Sequence, residues 1–103
     1  MAKVKDIARY VRSKNAGPFW VTVEIFCEDD ASYSRIKNSK NIHEKLIAQL
    51  YHVDEALVKK FYCDSIFVIK FSYPRPHPSG WKNENDMHAG QQYVFLSEME
   101  VEE

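Results

Sequence analysis

The sequence predicts an α+β sandwich: one four-stranded sheet with helices on one face and an added N-terminal helix. Three observations predict it. Residues 19–27 and 66–73 show strand signals, the first an alternation of period two and the second an apolar run that passes into one. Val4, Ile7, Ala8 and Val11, and later Ile42, Leu46, Ala48 and Leu50, follow helical spacing. At 103 residues the chain has room for one core that buries roughly two-thirds of the unfolded surface.

The elements follow in chain order. Residues 4–12 are expected to form the added helix, with Asp6 near its start and Arg9, Arg12 and Lys14 toward its end, as the helix dipole favours. Gly17-Pro18 stops it. In strand 19–27, Phe19, Val21, Val23 and Ile25 share one face, and Trp20, Thr22, Glu24 and Phe26 share the other. Asp30 is a plausible cap for a short helix over 31–38. Asn41-Ile42-His43-Glu44 resembles a capping box and opens a second helix running to about Tyr51. Asp54-Glu55-Ala56 reads as one helical turn, and 57–63 as a second strand. Asp64-Ser65 then turns into the central strand, whose consecutive apolar start suits burial on both faces. Residues 74–90 hold much of the Pro and Gly without periodicity and are expected to be a long loop. From Gln92 to Val101 alternation suggests a last strand, with a helix over 86–96 as the competing reading. A ferredoxin-like arrangement is the simplest instance of this order.

Composition narrows the function classes. A formal net charge of −1 argues against a general binder of nucleic acid or anionic membranes, which need a basic surplus on one face. No window approaches the length of a membrane span, so a soluble, cytoplasmic protein is expected. Cys27 and Cys63 suit free thiols in a reducing compartment. No Cys and His ligand set has zinc spacing, so neither a metal nor a cofactor is expected. An aromatic content of 14% favours a protein interface, with Trp20, Trp81 and Tyr93 as candidates.

Three clusters are candidate sites. Arg12, Ser13, Lys14, Asn15 and Gly17 join two cations, a hydroxyl, an amide and a glycine, a set that suits a carboxylate or phosphate. The same residues also fit a solvated helix end. Arg75, His77, Ser79 and Gly80 follow the central strand on a ledge stiffened by Pro74, Pro76 and Pro78. A stiff surface connector or a polyproline ligand would look alike. Asp86, His88, Gln91 and Gln92 offer proton-transfer or polar groups, but too few to specify a metal.

Several of these runs bear a resemblance. Asp6-Ile7-Ala8, Arg12-Ser13-Lys14-Asn15-Ala16-Gly17-Pro18, Pro74-Arg75-Pro76, Pro78-Ser79-Gly80 and Gly90-Gln91-Gln92 resemble a small bacterial family of unknown function. That family is related to the C-terminal ferredoxin-fold domain of AtuA-like (acyclic terpene utilisation) proteins. The resemblance implies a stand-alone counterpart of that domain, working beside a larger AtuA-like subunit in carboxylic acid or acyl-CoA metabolism, in a hydratase or lyase-type step. It further implies that Arg12, Lys14 and Arg75 hold an anionic group, with His77 or His88 moving a proton. Lys14 and Asn15 stand where the related domain has Gly and Asp, so a role for that acidic residue does not carry over.

On this reading the first and third predicted strands are parallel neighbours, which sets the start of one opposite the end of the other. The two basic clusters would then meet only if the long loop folds back or a second subunit brings them together. Homo-oligomerisation is left open. The competing function is a non-catalytic module that docks its aromatic surface on a larger partner.

Overall fold

The computed structural model describes residues 2–16, 19–74 and 93–102. Its elements are α1 (Val4–Ile7), β1 (Tyr10–Asn15), β2 (Trp20–Phe26), α2 (Asp30–Lys37), α3 (Glu44–Tyr51), a 3₁₀ turn (Glu55–Leu57), β3 (Lys59–Cys63), β4 (Val68–Pro74) and α4 (Tyr93–Ser97). The four strands form one antiparallel sheet in the order β1-β2-β4-β3. β2 and β3 therefore run parallel with β4 between them, the split β-α-β arrangement of a ferredoxin-like sandwich. The expected α+β architecture is present. Its fourth strand, however, comes from the N-terminal side of β2.

That strand corrects the expected helix over 4–12. Only Val4–Ile7 is helical, and Ala8 already has extended backbone. Val11 and Ser13 alternate with Tyr10, Arg12 and Lys14, and pairing with β2 satisfies this period-two pattern while putting Val11 against the core. The spacing of Val4, Ile7, Ala8 and Val11 fitted a helix, but a hairpin to β2 wins because it also satisfies the backbone of residues 10–15.

One face of the sheet carries the core. Val21, Val23 and Ile25 of β2 and Ile69, Phe71 and Tyr73 of β4 are buried with Tyr33 and Ile36 of α2, Ile47, Ala48 and Tyr51 of α3, and Leu96 of α4. Tyr51 stacks on Tyr73 at 4.5 Å between ring centroids. α2 starts one residue earlier than expected, because Asp29 accepts a hydrogen bond from the Ser32 backbone N–H (2.8 Å). Asn41 does not cap α3; His43 occupies that position. The Asn41 side chain instead donates to the Glu100 carbonyl (2.7 Å) and accepts from the Glu102 N–H (2.9 Å).

The C-terminal segment answers the strand-or-helix question over the last residues. Tyr93–Ser97 is helical, and the expected strand shrinks to a single bridge between Lys3 and Glu100. Val4 N–H donates to the Met99 carbonyl (2.9 Å) and Val101 N–H to that of Ala2 (2.8 Å), so the two termini pair with each other. The β3–β4 turn is longer than Asp64-Ser65. It spans residues 64–67, with Phe67 at φ 56°, and Cys63 pairs with Val68. Phe67 turns in so that its ring lies 5.9 Å from that of Tyr33, which fixes the longer turn. Among the described residues both cysteines are free, as expected, and no helix is long and apolar enough to cross a membrane.

Candidate functional site: a basic cluster on the open sheet face

The second face of the sheet has no helix over it among the described residues. Register places Tyr10, Arg12 and Lys14 of β1 on it, beside Trp20, Thr22, Glu24 and Phe26 of β2. β4 adds Val68, Lys70 and Ser72, and β3 adds Lys59, Phe61 and Cys63. Antiparallel sheets often leave one face to water, so an open face alone is unremarkable in function. Its content is less ordinary.

Glu24 lies at the centre and is 2% exposed. A carboxylate that deep must be paired. Arg12 Nε donates to its Oε1 at 2.7 Å, Lys14 Nζ stands 3.9 Å from the same oxygen, and Lys70 Nζ is 3.5 Å from Oε2. Burial works to raise the Glu24 carboxyl, but the Arg12 hydrogen bond and the charges of Lys14, Arg12 and Lys70 outweigh it and hold the group below its ordinary range. The glutamate stays ionised at neutral pH. Arg12 spends Nε–H here, one of five guanidinium donors, and its side chain is half exposed. Its guanidinium also lies over the Phe26 ring (4.9 Å), which stacks on Tyr10 at 4.5 Å. Next to the cluster, Lys59 Nζ lies 5.3 Å from the Trp20 ring centre, and Thr22 and Ser72 share a 3.0 Å hydroxyl contact. Among the described residues, this face bears Arg12, Lys14, Lys59 and Lys70 against one carboxylate. That is a surplus of three positive charges in a chain of net −1.

The structure thus brings two predicted site residues, Arg12 and Lys14, onto one face. It sends Ser13 and Asn15 to the other, where Ser13 is buried against the helical layer. Gly17, Arg75, His77, Ser79, Gly80, His88 and Gln91, with Trp81, lie outside the described residues. The expected parallel relation of the two central strands is corrected. β2 and β4 are antiparallel, with Trp20 opposite Pro74. The end of β1, the start of β2 and the exit of β4 therefore share one end of the sheet, with no need of a second subunit to bring those points together.

Sequence reasoning missed Glu24, Lys70, Lys59 and Phe61. Alternation already put Glu24 and Lys70 on the non-core faces of their strands; the missing fact was that these strands pair, setting Glu24 opposite Lys70.

A second polar network sits on the helical side. His43 Nε2–H donates to the Ser39 carbonyl (2.6 Å), so its Nδ1 accepts from Lys60 Nζ (3.2 Å), which also pairs with Glu44 (3.0 Å). Both ring nitrogens are engaged, so the network ties the start of α3 to β3. Nearby, the Tyr33 hydroxyl and Lys37 both bond to Asp64. Among the described residues no group of three or more His, Cys, Asp or Glu could hold a metal ion.

Residues 4–100 match the family described as a domain of unknown function, DUF4387. The chain belongs to that family. No curated protein and no solved structure matches it.

Proposed function

We propose that the chain is a small accessory subunit of an AtuA-like complex, binding the anionic group of a carboxylate or CoA thioester through Arg12 and Lys14. One observation supports this reading: three cations from two strands gather at one carboxylate, which cannot neutralise all of them, on a face left open among the described residues. The half-exposed guanidinium of Arg12 has the planar fork that a carboxylate or phosphate accepts, and Lys14 adds a point charge beside it. β4 ends at Pro74, opposite Trp20 at the start of β2, and Arg75 is the next residue in the sequence. The reaction in view is a hydratase or lyase-type step, with His77 and His88 as the proton-transfer candidates and the larger subunit supplying the rest of the site.

The test is to co-express the chain with the AtuA-like protein encoded nearest to it and titrate the purified complex with acetyl-CoA. Arg12→Ala and Arg75→Ala should each lower affinity for acetyl-CoA by about tenfold or more, the loss of one charge-assisted contact. Unchanged affinity in both variants would remove the site assignment. A second reading, a non-catalytic module that stabilises or regulates its partner, draws on Phe61 and Tyr10, which are 50% and 46% exposed on the same face. It predicts association without any effect of Arg12 on the ligand.

A further inference from the structure

We infer that the open sheet face is the surface by which the chain docks on a different protein, one whose contacting patch sets carboxylates between apolar groups. The inference rests on the accessory-subunit reading and adds to it the face and the chemistry of the partner. Phe61 and Tyr10 are large, apolar and about half exposed on this face, on the opposite edge strands β3 and β1, while Arg12, Lys14 and Lys70 gather at Glu24 between those edges and Lys59 lies over Trp20. Half-exposed aromatic side chains beside cations suit a protein interface, where aromatic residues and Arg are enriched.

Charge selects among the occupants. A second copy of the chain, stacked face to face, would set a surplus of three positive charges against an equal surplus, and like charges across an interface cost several kcal/mol. Single-stranded nucleic acid fits the charge but not the rings. Bases bind by stacking on open aromatic faces. Here Phe26 is stacked on Tyr10 and covered by Arg12, Trp20 carries Lys59, and the two half-exposed rings, Tyr10 and Phe61, stand on opposite edge strands, too far apart to stack successive bases. An acidic protein surface needs no stacking platform, and its carboxylates pair with the lysines.

Size bounds the affinity. Four strands about 4.8 Å apart and seven residues at about 3.4 Å give a face of roughly 450 Å², against about 800 Å² per partner in a standard interface. A complex built on this face is salt-sensitive and moderate in strength, unless residues outside it also join.

The test uses the full chain and the co-expressed AtuA-like protein, with affinity measured at about 50 and 300 mM salt. Phe61→Asp and Lys59→Glu lie on the edge strand and do not touch Glu24, so both variants should fold, which circular dichroism checks. Each is expected to weaken the complex at least tenfold, and affinity should fall steeply with salt. Leu57→Asp, at an exposed apolar residue outside the sheet, should change nothing. If Leu57→Asp breaks the complex and the two face variants do not, the docking face is wrong while the accessory-subunit reading stands. If no complex forms, both fail. The inference is also overturned if the chain alone forms a dimer that Phe61→Asp dissociates, or if a uridine 20-mer binds and Phe61→Asp abolishes it.

Discussion

The two faces of this sheet are made by the same strands and obey different rules. On the covered face, Val21, Val23, Ile25, Ile69, Phe71 and Tyr73 are each at most 3% exposed, packed against helices that supply more apolar groups. On the open face, Glu24 is just as deeply placed at 2% exposed and Thr22 is nearly so at 8%, yet among the described residues it is neighbouring side chains that bury them and no helix covers them. Apolar packing thus holds one face, and paired charges organise the other. If so, damage to the covered face should be read in stability, and damage to the open face in charge balance and binding.

The sharpest contrast is between two phenylalanines. Phe71→Ala should lower unfolding free energy by about 3–5 kcal/mol, because it removes a fully buried ring and leaves a cavity. Phe61→Ala, half exposed on the adjacent strand, should stay within about 0.5 kcal/mol. Urea denaturation of both variants checks this. A large loss at Phe61 would mean that something covers the open face in the free chain.

Glu24 comes next. Glu24→Gln keeps the shape but removes the charge that Arg12, Lys14 and Lys70 share, and should lose about 1.5–3 kcal/mol, the worth of a hydrogen bond to a charged group. The pH dependence has a definite sign. A carboxyl held below its ordinary range in the folded state stabilises fully above the unfolded value of about 4.3 and loses that contribution as pH falls through the lower folded value. The native chain should therefore lose stability below pH about 4.3 more steeply than Glu24→Gln. Parallel acid profiles for the two proteins, followed by fluorescence, would show that the cluster adds nothing.

The covered face was largely legible in the sequence and the open one was not, for a physical reason. Burial against helices imprints a period, so strand 19–27, the helices over 31–38 and 42–51, and the central strand are visible in the order of apolar residues. Pairing imprints no such period. Residues 10–15 carry a strand alternation beneath a competing helical spacing, and only the neighbouring β2 decides between them. The cluster around Glu24 inherits that difficulty, since Arg12 reaches it only if β1 is a strand beside β2. Read as a helix end, Arg12 and Lys14 looked like complements to a dipole. The direction of β4 against β2 is likewise a property of topology, and it decides which loops share an end of the sheet.

Chemistry can mark the faces as well. Cys27 is buried in the core, and burial with the nearby Asp29 pushes its thiol up to about 11, so it stays protonated at neutral pH. Cys63 sits half buried on the open side, opposite Val68. A thiol reagent at neutral pH should label Cys63 first and Cys27 only as the chain unfolds. Equal rates, measured by intact mass, would mean that the covered face opens on the timescale of labelling.

The smallest expected effect asks whether the helical layer that covers the sheet stores anything in its backbone. His52 ends α3 in the left-handed region at φ 58°, with the Val53 N–H reaching back to the Ala48 carbonyl (3.0 Å). A glycine there would relieve a cost of about 1–2 kcal/mol but add about 0.5–1 kcal/mol of unfolded-chain entropy. His52→Gly should therefore raise the thermal midpoint by only a few degrees, at about 4–8 °C per kcal/mol for a domain near this size. Phe67, at φ 56°, has the same backbone cost, yet its ring packs on Tyr33. Phe67→Gly should lower the midpoint, because the lost ring contact and burial outweigh the relief of strain. Opposite signs at two residues of nearly equal φ would show that the covered layer is held by what its side chains bury and very little by backbone conformation; matching increases would reverse that conclusion.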